Sequence, residues 1–317
     1  MPSHADPLTI TGRAGGAKRR WRAGWVGGIC LLIIALPCFL TLPWSLKQYE
    51  KQSLGDIGED PRRAPSWSEP FGSDRLGRSM LWRCLMGGAI SLGIGISAAC
   101  IAVVIGVTWG TAAGYAGGRI DAAMMRVVDV LYGLPYVLLV VLLNIALKPA
   151  FERVALLVLP PDQASGAADV VTLLTAIGGI SWLTLSRVVR GQVLSLREQP
   201  FVEAARASGT GPIRLFWWHL LPNLIGPIVV YTTLTVPMAI LQESFLSFLG
   251  IGVKPPLPSW GNLASEGLEV LSTVSIPGGT VRWWLLFWPC FLLGLTLMAL
   301  NFLGDALREK FDPKSRK

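Results

Sequence analysis

Six stretches of this chain are predominantly apolar over the length that a bilayer demands. A helix needs about 20 mostly apolar residues to cross the hydrocarbon core. The stretches run approximately over 23–44, 88–114, 127–147, 170–187, 224–250 and 283–303, and each predicts one transmembrane helix. A seventh apolar run, 154–159, is far too short and is closed by Pro160 and Pro161. It predicts an extramembrane loop or an interfacial segment. The first stretch follows Lys18, Arg19, Arg20 and Arg22, as a signal peptide would. Its apolar run exceeds a typical signal core and no small-x-small site follows, so it reads as an uncleaved anchor.

Composition strengthens the membrane reading. Hydrophobic residues make up 52% of the 317 positions and charged residues only 15%, with mean hydropathy +0.51. Soluble domains carry about 25% charged residues. The net charge of +8 reads as a topology signal, and no nucleic-acid partner is expected from it. With the N-terminus inside, the inner segments hold 17 of the 28 basic residues, and the outer ones balance 11 basic with 11 acidic. The positive-inside rule then places both termini and Glu203 in the cytoplasm. Trp67, Gln163 and Trp260 are expected to face outward.

Within the spans, Gly106, Gly110, Gly114 and Gly118 repeat every four residues. Small residues at that spacing let helices approach backbone to backbone. The partner is either another helix of this chain or a second subunit. Pro135, Pro227, Pro237 and Pro289 interrupt later spans and can kink them. Ionisable residues at membrane depth each require a reason. Asp129 stands three residues after Arg126, which predicts a local ion pair at a helix end. Glu243 stands deep in the fifth stretch beside Gln242, Ser244 and Ser247, with no basic residue within a turn. It either faces a water-filled pathway or is buried protonated against a neighbouring helix.

Several chemistries are excluded. The chain has no GxxxxGK[ST] phosphate loop, HExxH or GxSxG motif, and its histidines, His4 and His219, lie far apart. Five scattered cysteines contain no CxxC pair. No catalytic or metal-binding constellation is expected, so energy for work against a gradient must come from another polypeptide or an ion gradient. A self-contained secondary transporter would favour an inverted repeat, which is not evident. A membrane-embedded enzyme would need clustered polar groups.

The segment between the fourth and fifth stretches is the most informative. Pro200 suits a first helical position, Glu203 complements the helix dipole, and Gly209 can end the helix in a left-handed conformation. This predicts a two-turn helix over 200–208. Pro212 then opens a second short helix carrying Leu215, Phe216, Trp217 and Trp218, suited to a membrane interface.

Glu203-Ala204-Ala205, then Gly209 after three residues, then Leu221-Pro222, resembles the EAA loop of bacterial ABC importer permeases. The family pattern is EAA-x3-G-x9-I-x-L-P; His219 stands at its isoleucine position, as in the peptide and nickel permease subfamily. Phe71-Gly-Ser-Asp-Arg-Leu-Gly-Arg78, Gly114-Tyr-Ala-Gly-Gly118, Met125-Arg-Val-Val-Asp-Val130, Glu243-Ser-Phe-Leu-Ser-Phe-Leu-Gly-Ile-Gly252, Pro258-Ser-Trp-Gly261 and Asn301-Phe-Leu-Gly-Asp-Ala-Leu-Arg308 extend the resemblance over 71–313. The wording is similar to the OppC and DppC types, oligopeptide first. The N-terminal 1–22 and the loop 148–169 fit less well.

The resemblance implies an all-α polytopic membrane protein of about six transmembrane helices with the type I ABC importer permease fold. Its layout would be a cytoplasmic tail (1–22), an anchor and extracytoplasmic segment (23–84), a transmembrane domain (85–306) carrying the EAA loop at 190–223, and a second tail (307–317). It implies a non-catalytic subunit of a peptide importer in the bacterial inner membrane. Partners would be an OppB-like permease, two cytoplasmic ATPases that bind ATP and magnesium, and an extracytoplasmic peptide-binding protein. No cofactor would be bound by this chain. Phe201, Val202, Glu203, Ala204, Ala205 and Gly209 would couple to an ATPase. Glu243, Ser244 and Ser247 are candidates for the translocation path. The same role for nickel or another small solute is the alternative.

Overall fold

The computed structural model describes residues 8–53, 61–272 and 282–311. Among them the only extended pairing is two isolated bridges, Gln52 with Arg78 and Ser73 with Ser79. His4 and the C-terminal Lys314, Arg316 and Lys317 lie outside the described residues, as do parts of both expected tails. The helices are α1 (Leu8–Leu40), α2 (Leu42–Gln48), α3 (Met80–Ala116), α4 (Gly118–Tyr132), α5 (Tyr136–Ala155), α6 (Pro161–Leu196), α7 (Pro200–Ala207), α8 (Pro212–Leu215), α9 (Leu221–Phe248), α10 (Trp260–Ser272) and α11 (Trp284–Phe311). A π-helical turn, Phe216–Leu220, joins α8 to α9.

Four stretches can each cross a membrane alone: α3, α6, the continuous run from Pro212 to Phe248, and α11. Two bent pairs bring the number to six, α1 with α2 at 60° and α4 with α5 at 95°. The expected all-α architecture of about six spans is therefore present, with one span reshaped. The stretch 127–147 does not form a single straight helix. It breaks at Gly133, Leu134 and Pro135, where proline offers no backbone N–H and pushes the preceding residue away from helical geometry. Pro227 and Pro237 in α9 and Pro289 in α11 stay inside continuous helices.

Two segments between the expected spans are largely helical. In 148–169, α5 runs to Ala155 and α6 starts at Pro161, a residue preorganised for a first helical position. Lys148 on α5 pairs with Asp169 on α6 at 2.6 Å, tying the two helices together. In the segment 251–282, α10 folds back between α3, α9 and α11. Trp260 is buried there: its indole N–H donates to the Cys84 carbonyl at 3.1 Å. Its length, well under a full span, hid this helix from hydropathy.

The glycine stripe packs within this chain. Gly106 faces Leu185 and the Trp182 carbonyl, Gly110 faces Val189 and the Ser186 carbonyl, and Gly114 faces Val193 and the Arg190 carbonyl, all on α6. A methyl at Gly106 or Gly114 would stand 2.9 Å from Leu185 Cβ or Val193 Cβ, closer than carbon atoms tolerate. Gly118 lies outside the stripe; it starts α4 with φ +56° and open space around it.

Before α3, the segment carrying Asp74 is pinned by charge. Asp74 accepts from Arg78 Nε and Arg83 Nη1, both at 2.7 Å, and from the backbone N–H groups of Leu76 and Arg78. Arg83 continues to Glu266 on α10 with bonds of 2.7 and 3.0 Å. Gly72 and Gly77, at φ +73° and +69°, make the turns that bring Asp74 into this position. Four charged side chains thereby clamp this segment, α3 and α10 together.

Candidate functional site

One end of the bundle gathers α7, α8, the C-terminal end of α6 and the junction of α3 with α4. The predicted helix over 200–208 is present as α7, and its end has the expected geometry. Gly209 has φ +78°, its N–H donates to the Arg206 carbonyl, and the Thr210 N–H donates to Ala205. That pair of bonds is a Schellman cap, which satisfies carbonyls at the helix end. The helix is two-sided. Val202 and Ala205 are buried against Val193, Leu215 and Leu220, whereas Phe201, Glu203 and Ala204 are exposed. Of the six residues singled out from the sequence, two thus anchor the helix, three form its outward face, and Gly209 ends it.

Arginines hold this end rigid. Arg190 binds Asp121 on α4 through two nitrogens at 2.5 Å each, and Arg197 donates to the Gly114 carbonyl at 3.2 Å. The Arg206 guanidinium lies 5.1 Å from the Tyr115 ring centre, linking α7 to α3. Asp129 pairs with Arg187 on α6 at 2.9 Å, in place of the local pair expected with Arg126. Arg187 also caps the Tyr132 ring at 4.2 Å. The partner lies 58 positions away, beyond the reach of a helical-spacing rule.

Glu243, Ser244 and Ser247 are all buried inside the chain, Glu243 completely. Ser247 Oγ donates to Glu243 at 2.8 Å and Ser244 Oγ at 3.2 Å. Ser91 on α3 and Ser259, just before α10, reach the same carboxyl. Three of these hydroxyls also accept a backbone N–H: Ser247 from Val253, Ser91 from Trp260 and Ser259 from Asn262. The carboxyl is therefore the centre of a polar knot that fastens the segment after α9 to α3. Glu243→Leu removes the acceptor these hydroxyls share, at a cost of roughly 1–3 kcal/mol for each buried group left unsatisfied. Thermal unfolding of the detergent-purified protein is expected to drop sharply for Leu and little for Gln, whose amide still bonds the hydroxyls. Equal damage from both would assign the role to the negative charge.

A different surface opens toward the middle of the bundle. The bend between α4 and α5, together with α6 and α9, encloses a groove of about 560 Å³. Its polar groups are Tyr132, Tyr136, Ser181, Thr184, Tyr231, Thr235 and Gln242, and it has no ionisable carboxylate, ammonium or guanidinium among its lining residues. The Tyr136 hydroxyl donates to Gln242 Oε1 at 2.5 Å across it. From sequence, Gln242 drew notice only as polarity beside Glu243. The two adjacent side chains leave α9 about 100° apart, one into the knot and one into the groove.

A bundle of apolar helices of membrane-crossing length, with an ordered amphipathic helix at one end, defines a multi-pass membrane protein. The chain belongs to the family described as the binding-protein-dependent transport system inner membrane component, whose model matches residues 102–317. It is similar to the dipeptide transport system permease protein DppC of Bacillus subtilis, 43% identical over 253 residues, covering 80% of this chain and 71% of that one. It is also similar to the oligopeptide transport system permease protein OppC of the same organism, 38% identical over 302 residues, covering 95% and 90%. OppC of Escherichia coli K12 is 36% identical over 321 residues, covering 100% and 97%. Among solved structures, an inward-facing MetNI methionine ABC transporter chain matches with TM-score 0.50 and 17% identity, covering 74% of this chain and 98% of that one. That likeness concerns the fold. The chain is thus a non-catalytic membrane component of an ABC transport system.

Proposed function

We propose that this chain is one of two permease subunits of an ATP-driven peptide importer, with oligopeptides as substrates. The observation that carries the reading is the likeness to oligopeptide permeases along essentially the whole chain. An OppB-like permease would complete the pathway. Two ATPases, holding ATP and magnesium, would drive it, and an extracytoplasmic binding protein would deliver the peptide. In this reading α7 seats its exposed face, Phe201, Glu203 and Ala204, in an ATPase. Val202 and Ala205 transmit movement to α6 and α9 as a rigid body.

Its end of the bundle, and both termini, would be cytoplasmic. The test is reconstitution of the complete importer in proteoliposomes, with labelled oligopeptides, dipeptides and a nickel chelate offered in turn. ATP-dependent uptake of oligopeptides above the other two is expected; preference for dipeptides, the class named in the DppC relative, would move the assignment within peptides. Uptake of the nickel chelate alone would overturn it. Single-cysteine labelling from outside intact cells is expected at position 67, where Trp67 is fully exposed, and not at position 203. The reverse pattern would invert the topology.

A further inference from the structure

We propose that the groove between the α4–α5 bend, α6 and α9 binds the backbone of an extended peptide in transit, through Tyr136, Ser181, Thr235 and Gln242. This rests on the peptide-importer reading above and deepens it. Hydroxyl and amide groups facing hydrocarbon would lose their hydrogen bonds to water without replacement. Tyr136, Ser181, Thr235 and Gln242 avoid that cost by bonding within the chain, yet the groove they line keeps hydrogen-bonding capacity for a further partner. Its chemistry is selective in a particular way. No lining residue carries a formal charge, and Arg187, over the Tyr132 ring, is paired with Asp129, so the groove offers a charged side chain or peptide terminus little to pair with. What remains common to all peptides is the amide unit, one N–H donor and one C=O acceptor per residue.

The groove presents partners for both halves of that unit. Thr235 Oγ1 donates to the Tyr231 carbonyl at 2.8 Å and Ser181 Oγ to the Ile177 carbonyl at 2.8 Å. Each hydroxyl spends its hydrogen on its own helix and keeps lone pairs for an incoming N–H. The Gln242 amide nitrogen and the Tyr136 hydroxyl can donate to an incoming carbonyl. In this structure those two residues bond each other, spanning the groove. Donation by Tyr136 to a peptide replaces its bond to Gln242, and the bonds at Ser181, Thr235 and the Gln242 nitrogen each exchange for water, so the net gain is small. Weak, sequence-blind binding is what a transport path requires, since a tightly held peptide would not leave.

The test uses the complete importer in proteoliposomes with its binding protein saturating. Thr235→p-benzoylphenylalanine should give an ATP-dependent photo-cross-link to a labelled peptide. Gln242→Leu removes one donor and one acceptor, and uptake should fall about tenfold, as expected for losing roughly two modest hydrogen bonds. Gln242→Glu should slow acidic peptides more than basic ones, creating a charge preference that the wild type lacks. Wild-type uptake with an indifferent Gln242→Leu variant, or a cross-link that goes only to the partner permease, overturns this inference and leaves the importer reading intact. A wild-type importer that takes up no peptide sinks both.

Discussion

Gly209→Val is expected to abolish substrate-stimulated ATP hydrolysis by the partner ATPases while peptide capture by the binding protein stays unchanged. The reason lies in the backbone. Gly209 sits at φ +78°, and nothing lies within 4 Å of where a Cβ would be. A substitution there meets no neighbour, so the damage comes only from the left-handed conformation. That conformation costs an L-residue roughly 1–2 kcal/mol, and a β-branched one more. The Schellman bonds from Gly209 and Thr210 would be lost first, and α7 would fray behind its exposed face. Because the strain is purely conformational, a graded series is available. Gly209→Asn, which tolerates this region, should retain most of the stimulated ATPase rate, Gly209→Ala less, and Gly209→Val almost none. Glu203→Lys probes the same helix differently. Reversing a charge at the helix N-terminus changes helix stability by only about 0.3–1 kcal/mol. Loss of the ATPases from the membrane in that variant would therefore report a contact outside the helix. Full transport with ATPases attached in both Gly209→Val and Glu203→Lys would remove α7 from the coupling path.

The features read correctly from the sequence were those whose cause is local. Six apolar runs are visible because the bilayer imposes one length on every crossing. α7 is visible because Pro200, Glu203 and Gly209 each act within a turn of themselves. What remained hidden depends on residues that meet only after folding. Asp129 found Arg187 on α6 in preference to Arg126 one turn away. Glu243 offered two readings because two of its four serines, Ser91 and Ser259, come from elsewhere in the chain. The polar groove was hidden for the same reason: Tyr136 and Gln242 lie 106 positions apart and share a bond only because the chain turns by 95° before α5. α10 was missed on different grounds. Its surroundings are supplied by α3, α9 and α11, so its short sequence needs no long apolar run to be buried.

Arg83→Leu is expected to cost this protein more stability than any other single change at the end where α3 begins. The guanidinium is 1% exposed and bridges two carboxylates, Asp74 and Glu266, while Asp74 also holds Arg78. The cluster contains two positive and two negative groups, so it is balanced only when complete. Removing one member of a buried ion pair costs about 3–5 kcal/mol, because the remaining charge stays buried without compensation. Leucine fills much of the volume, so the loss reports charge and hydrogen bonding more than a cavity. Arg83→Lys keeps the charge but not the planar fork that reaches Asp74 and both oxygens of Glu266, and should fall between leucine and wild type. Arg83→Leu combined with Glu266→Gln should recover part of the loss, since the amide leaves no unbalanced carboxylate on α10. Thermal unfolding of the detergent-purified protein measures all three. Without the clamp, the segment carrying Asp74 and α10 lose their tie to each other, so protease cleavage at the exposed turn around Trp67 should accelerate in parallel. A leucine variant that unfolds with the wild type would mean that solvent reaches these carboxylates, and that the cluster holds nothing together.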